Sequence, residues 1–387
     1  MGSMMQKIQR KLEKFKKSPY RIITISMLLL IIAANLFAFS KSFCNTYADR
    51  VYPRIADFFG KLTNVLPLPL GEICLYIGSV MLILAVLFSV LLIRLRKNQK
   101  FVRFTKKYLR SVLFAFVFIL LLYSFQWIIP FRSDLLGESG HNEKQYSVKE
   151  LRLLWLYVVG NLNERCKEVE RDDEGRILYP DKETTEKEVC AAMRAISGTY
   201  PRLKGFYPDI KPAICSDFLN WMQIGGFTYP YTMEVTYNKY TSDLYFPSLY
   251  AHESAHHKGY YQENEANFLS FLACAESGEP ILRYSAYHEI YYYIDDAYRS
   301  SLSGGETALL REYENTPVDD QVWLDEQAEA EKMAEVYDAD DHPFEGYAEL
   351  AEDVADVGWD TQGELLAENS YDGVVQLLLE YYDGILY

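Results

Sequence analysis

Three uncharged apolar stretches, residues 22–40, about 73–93 and 111–129, constrain this chain more than any other feature. Each is long enough to cross a bilayer as a helix, so the sequence predicts three transmembrane spans near the N-terminus. Lys7, Arg10, Lys11, Lys14, Lys16, Lys17 and Arg21 precede the first span. Arg94, Arg96, Lys97, Lys100, Arg103, Lys106, Lys107 and Arg110 separate the second from the third. Basic flanks stay in the cytoplasm. The segment 41–72, with four basic and three acidic residues, is then a translocated loop, and everything after residue 130 emerges on the non-cytoplasmic side. Trp127 falls where an interfacial anchor of the third span would sit. A cleaved signal peptide is the competing reading of the first stretch, but its apolar run is longer than a usual signal core.

Charge divides the chain at the same place. Residues 1–130 hold 19 Lys and Arg against 4 Asp and Glu, a net +15, which leaves −30 on the remainder of a chain whose net charge is −15. A part so acidic repels nucleic acid, so no nucleic-acid partner is expected; the acids themselves read as a solvated surface. The six cysteines show no C-x-x-C spacing and therefore no cysteine metal site or dithiol motif. Pairing of Cys166 with Cys190 or Cys215 is compatible with the expected compartment.

Beyond the spans, apolar residues recur at helical spacing from Ser147 to Cys166, and a second helix is predicted from Thr184 to Ser197. Alternation through Thr232–Tyr237, preceded by Gly225, Gly226 and Pro230, predicts turns and a strand, which could pair with an extended peptide as an edge strand or lie inside a sheet as an ordinary internal strand. Pro247 suits the first turn of a new helix that stops at Gly259. Helices follow over about 262–276, 281–299 and 319–338, with a loop at 300–305 and a short apolar helix at 374–382. The expected division is a basic cytoplasmic N-terminus (1–21), a transmembrane anchor (22–130), a mixed α+β domain with a small sheet (131–300) and an acidic helical extension (301–387). The fold class is mainly α.

The chemistry concentrates on the helix that starts near Pro247. His252-Glu253-Ser254-Ala255-His256 places two imidazoles four residues apart on one helical face, where both reach a single zinc ion. Glu253 lies beside that face, able to reach a zinc-activated water without ligating the metal, which is the requirement for a general base. A catalytic zinc needs a third protein ligand. Glu263 and Glu265 both follow closely. Glu263 shares its stripe with Ala266, Asn267, Ser270 and Cys274, small residues that permit close helix approach, whereas Glu265 shares its stripe with Phe268, Leu269 and Leu272. Glu263 is the preferred ligand and Glu265 the alternative. Asn267, one turn on, is placed to accept a hydrogen bond from the far nitrogen of a ligating histidine. His257 points about 100° away and reads as a surface or helix-end residue. His288, or one of Tyr287, Tyr291, Tyr292 and Tyr293, could act as a transition-state donor, although packing in an aromatic core is the first reading of each.

With these residues the chain resembles the zincin metallopeptidases of the gluzincin type, in which H-E-x-x-H is completed by a glutamate in E-x-x-A-D or E-x-x-A-N; Glu263-x-x-Ala266-Asn267 has that form. It is also similar to the bacterial membrane family filed as domain of unknown function 3810, through the three spans, HESAHHKGYYQENEANFLSFLAC, Ile224–Phe227 and Tyr371–Val375. The resemblance implies a zincin-like domain, a Zn2+ cofactor and peptide or protein substrates. The glutamate follows His256 by only seven residues, and asparagine stands at 267 where aspartate is usual. A membrane receptor or assembly protein that keeps the fold without catalysis is the alternative function, and a zinc amidase acting on cell-wall peptides is a third.

Overall fold

A computed structural model describes residues 19–136, 146–302, 307–336 and 370–387, with side chains of the last stretch from Gly373 onward. The basic N-terminus before residue 19, the second half of the 300–305 loop and the end of the 319–338 helix lie outside the described residues. The described chain is mainly helical with one three-stranded sheet, and it divides into two compact units.

The first unit contains residues up to Tyr52, Leu70–Ser133 and Pro230–Thr232. Its three apolar helices, α1 (Pro19–Phe37), α4 (Leu70–Arg94) and α5 (Gln99–Phe131), match the three predicted spans and are long and apolar enough to cross a membrane. The third is longer than its apolar core because the basic run after Asn98, whose side chain caps the first turn, is itself helical. A π-helical turn at Ser124–Ile128 interrupts α5. There the Ser124 hydroxyl accepts from Asn35 Nδ2 over 3.2 Å, and the Phe125 carbonyl accepts from Tyr47 over 2.9 Å.

The segment between the first two spans is not a loop. It forms α2 (Lys41–Arg50) and α3 (Tyr52–Thr63). In α3, Ala56, Gly60 and Thr63 are buried along one stripe, and residues 53–69 belong to the second unit together with 134–229 and 233–387.

In the second unit, α6 (Val148–Glu168) opens with a capping box between Ser147 and Glu150. α7 (Lys182–Ala195) leads to β1 (Lys211–Pro212), the short α8 (Ser216–Trp221), β2 (Gly226–Tyr229) and β3 (Glu234–Tyr237). β3 is central, parallel to β1 and antiparallel to β2, with Thr228 opposite Val235. The strand predicted around 232–237 is thus an internal strand rather than an edge, because β1, drawn from more than twenty residues upstream, covers its other side. Among the described residues β1 and β2 are the two edges.

Four helices follow: α9 (Phe246–His257), α10 (Glu263–Ala275), α11 (Pro280–Ser301) and α12 (Thr307–Glu314). α13 (Asp320–Val336) and α14 (Ser370–Tyr382) complete the unit. α11 packs along α6, where Trp155 donates to Asp295 over 2.9 Å and stacks at 5.0 Å on Tyr298. α13 is held by Asp325, which pairs with Arg171 and accepts from Tyr284 over 2.8 Å. All six cysteines are free. Cys166 and Cys190 are buried apart, Cys190 against the Tyr250 hydroxyl at 3.2 Å, so the suggested pairing does not form.

Candidate metal centre

α9 carries Pro247 in its first turn, where the missing N–H has no helical partner to lose. It ends where Gly259 takes a φ of +89°, a conformation that favours glycine. The chain reverses there, Tyr260 N–H bonding back to the Ala255 carbonyl at 3.1 Å, and α10 begins at Glu263. Ala251, Ala255 and Ala266 are fully buried, and Ser270 donates to the Ser248 carbonyl over 2.8 Å. These small residues bring α9 and α10 together.

The result is a convergence of His252, His256 and Glu263, one ligand atom of each lying within 4.8 Å of the others. His252 Nε2 is 3.2 Å from one Glu263 oxygen, and His256 Nε2 is 3.6 Å from the other. Two ligands held tetrahedrally at zinc distances are about 3.3–3.5 Å apart, so the spacing fits a tetrahedral ion. The rings stand nearly perpendicular with centroids 4.6 Å apart. Each Nδ1 is committed elsewhere: His252 donates to Asn267 Oδ1 over 2.6 Å and His256 to the Tyr260 carbonyl over 2.8 Å. Both Nε2 atoms are therefore left to face Glu263, the tautomer that metal ligation requires. The Glu263 side chain is 43% exposed, which leaves an approach from solvent.

Electrostatics couple these side chains to one another. Burial pushes His256 down, but Glu263 beside it outweighs burial and raises the ring to about 9. Burial pushes Glu263 up, yet His256 and His252 hold it well below the usual carboxylate range. Glu253 is buried and shifted upward by desolvation, against the opposing pull of the two histidines and of Thr228. The Thr228 hydroxyl lies 2.8 Å from Glu253 Oε2 and 3.0 Å from its carbonyl. A Cβ on Gly226 would stand 3.0 Å from Glu253 Oε1 and 2.7 Å from the Thr236 carbonyl, so β2 reaches this close only with glycine there.

Other expected residues lie elsewhere. Glu265 is buried and its Oε1 accepts from the Leu136 backbone N–H over 2.7 Å, outside the convergence. His288 is not a donor at this centre, because its Nε2 is 2.8 Å from Glu326. Tyr287 bonds Tyr157, Tyr291 packs on Trp323 and Tyr292 bonds Glu326, whereas Tyr293 meets the centre indirectly by accepting from Asn267 Nδ2 over 3.2 Å. His257 is not a surface residue. It is fully buried, donates to the Met233 carbonyl over 3.0 Å and is pushed down to about 3 by burial, hence neutral. The face of α9 away from the ligands is covered by α3, where a Cβ on Gly60 would come within 2.9 Å of the His257 ring. Next to it Lys258, also fully buried, reaches Asp57 at 3.2 Å and the Tyr207 ring at 4.4 Å. Sequence reasoning passed over Thr228, Gly226 and the Tyr260 carbonyl; the paired glycines at 225–226 were the available signal of a close backbone approach.

The chain belongs to the family described as protein of unknown function DUF3810, whose match extends over residues 47–379. No curated protein and no solved structure matches it.

Proposed function

We propose that this protein is a membrane-anchored, zinc-dependent metallopeptidase of the gluzincin-like kind, hydrolysing peptide bonds outside the cytoplasm. The observation that carries the proposal is the convergence of His252 Nε2, His256 Nε2 and Glu263 while both Nδ1 atoms are held by other acceptors. Two imidazoles and a carboxylate suit zinc, and three protein ligands with solvent access suit a catalytic rather than a closed structural site. When bound, zinc supplies Lewis-acid polarisation and a water more acidic than bulk. Glu253, buried next to the two histidines and raised by desolvation, would serve as the base toward a water held there. Thr228 fixes the orientation of the accepting carboxylate.

Peptide is the favoured substrate because β2 is an edge strand whose Gly226 abuts the Glu253 side chain. An extended chain added to that edge would run past the general base. The basic flanks of the three apolar helices support a cytoplasmic N-terminus and an extracytoplasmic hydrolase unit.

The test uses the full-length chain in detergent, with metal content measured by mass spectrometry and cleavage measured on a peptide library alongside peptidoglycan fragments. One zinc per chain and peptide cleavage that Glu253→Gln abolishes are expected. Cleavage that survives Glu253→Gln overturns the assignment of the base, and absence of bound metal overturns the whole reading.

A further inference from the structure

A histidine that ligates a metal becomes a stronger donor when the acceptor at its far nitrogen is charged. Asn267, which accepts from His252, is neutral. Its amide continues to the Tyr293 hydroxyl on α11, and one turn before Tyr293 on the same stripe stands Glu289. Glu289 lines a small, mostly apolar cavity together with His252, Asn267, Tyr245, Ser248 and Phe271. Among the described residues no hydrogen bond reaches its carboxylate. Burial raises the Glu289 carboxyl, and His288 on its own helix and His252 across the cavity oppose that rise, while the Tyr245 hydroxyl on the α9 side feels its negative field. Glu289 is half-buried and lines the same cavity as His252, and the hydrolytic mechanism does not use it.

We infer that Glu289 is a positioning residue for His252, its charge supplying across the cavity the negative field that Asn267 lacks and so strengthening His252 Nε2 as a donor to a divalent cation. The inference rests on the proposed metal centre but not on any substrate. Asn267 then fixes the tautomer and Glu289 the donor strength, a division of labour between two side chains.

Zinc affinity of the full-length chain in detergent, read by competition with a chromophoric chelator at pH 7.5, tests it together with the thermal midpoint of the metal-free protein. Glu289→Gln, isosteric and uncharged, is expected to weaken zinc binding about 10-fold while the metal-free protein melts no lower than wild type. Asn267→Asp, which puts a charge directly on His252, is expected to restore affinity in the Glu289→Gln background. Unchanged affinity in Glu289→Gln overturns the inference and leaves the metal centre standing. Affinity lost together with a lowered melting point, or failure of Asn267→Asp to restore it, also overturns it. If wild type binds no zinc, the proposed function falls, and this inference with it.

Discussion

Thr228 donates its side-chain hydroxyl toward the buried carboxylate of Glu253 across 2.8 Å, from the edge strand to the helix that bears both histidines. The contact orients a carboxylate that is already packed against Gly226. Thr228→Val is expected to reduce turnover about 10-fold, a net loss in the range of one hydrogen bond to a charged group, with metal content unchanged. Glu253→Gln is expected to reduce it about 10²–10⁴-fold. Steady-state kinetics with parallel metal analysis distinguishes the two; a Thr228→Val protein that loses its metal would show the hydroxyl to be structural.

The two glutamates at the start of α10 predict opposite results. Glu263 faces both Nε2 atoms, whereas Glu265 is engaged by the Leu136 backbone. Glu263→Ala, like His252→Ala and His256→Ala, is expected to abolish stoichiometric metal, a larger loss than the roughly 10–100-fold of an outer partner. Glu265→Gln is expected to retain one metal per chain. Calorimetric zinc titration decides it, and the reverse pattern would move the third ligand to Glu265.

A pH dependence of stability follows from Glu186 on α7. Burial, with Asp209 and Glu183 adding repulsion, raises its carboxyl from 4.5 to about 7. The folded chain binds this proton more tightly than the unfolded one. The contribution to stability is therefore complete below about pH 4.5, declines as pH rises toward about 7 and is constant above. Discounted for the side chain's partial exposure, the loss is about 1–2 kcal/mol. Glu186→Gln is expected to raise the melting temperature at pH 8 and leave it nearly unchanged at pH 4.5. Equal shifts at both values would exclude Glu186 as the titrating group.

Lys258 and Asp57 make a further prediction. The ammonium is fully buried and pushed down to about 8 by desolvation, against the pull of Asp57. Removing its partner with Asp57→Ala is expected to cost roughly 2–4 kcal/mol, since the cation is left buried and short of an acceptor. A fragment beginning at residue 131 lacks Asp57, Gly60 and Asn64, whose amide donates to Asp209 over 2.9 Å. It is expected to unfold well below the full-length chain. Circular-dichroism melts of both proteins measure this, and equal midpoints would mean that α3 is dispensable.

How much of this was legible depends on the range of the interaction that decides each residue. The spans and the helices were written in local apolar spacing, as were the two motif histidines on one face. The grouping of Glu263 rather than Glu265 with them was legible because small residues mark the stripe by which α10 approaches α9. His257 was not legible. Helical phase correctly set it off the ligand face, but only the return of α3, about two hundred residues earlier in sequence, makes that second face interior. The choice between an edge and an internal strand stayed open for the same reason: alternation along β3 suits either, and its internal place is decided by a two-residue strand with no periodicity of its own. His288 fell to Glu326 on α13, a partner that spacing cannot announce.

The inclusion of residues 53–69 in the same compact body as the helices that carry His252, His256 and Glu263 imposes a rule of arithmetic. Both pieces of one body must be delivered to one compartment, so the chain between them can cross a bilayer only an even number of times. With α4 and α5 as the crossings the count is two. Deleting either helix would strand Asp57 on the opposite side of the membrane from Lys258, and splicing in one extra span would do the same. As crossings, the two helices after α3 are thus more than a tether: their parity is a condition for the unit that holds the candidate metal centre to be assembled at all.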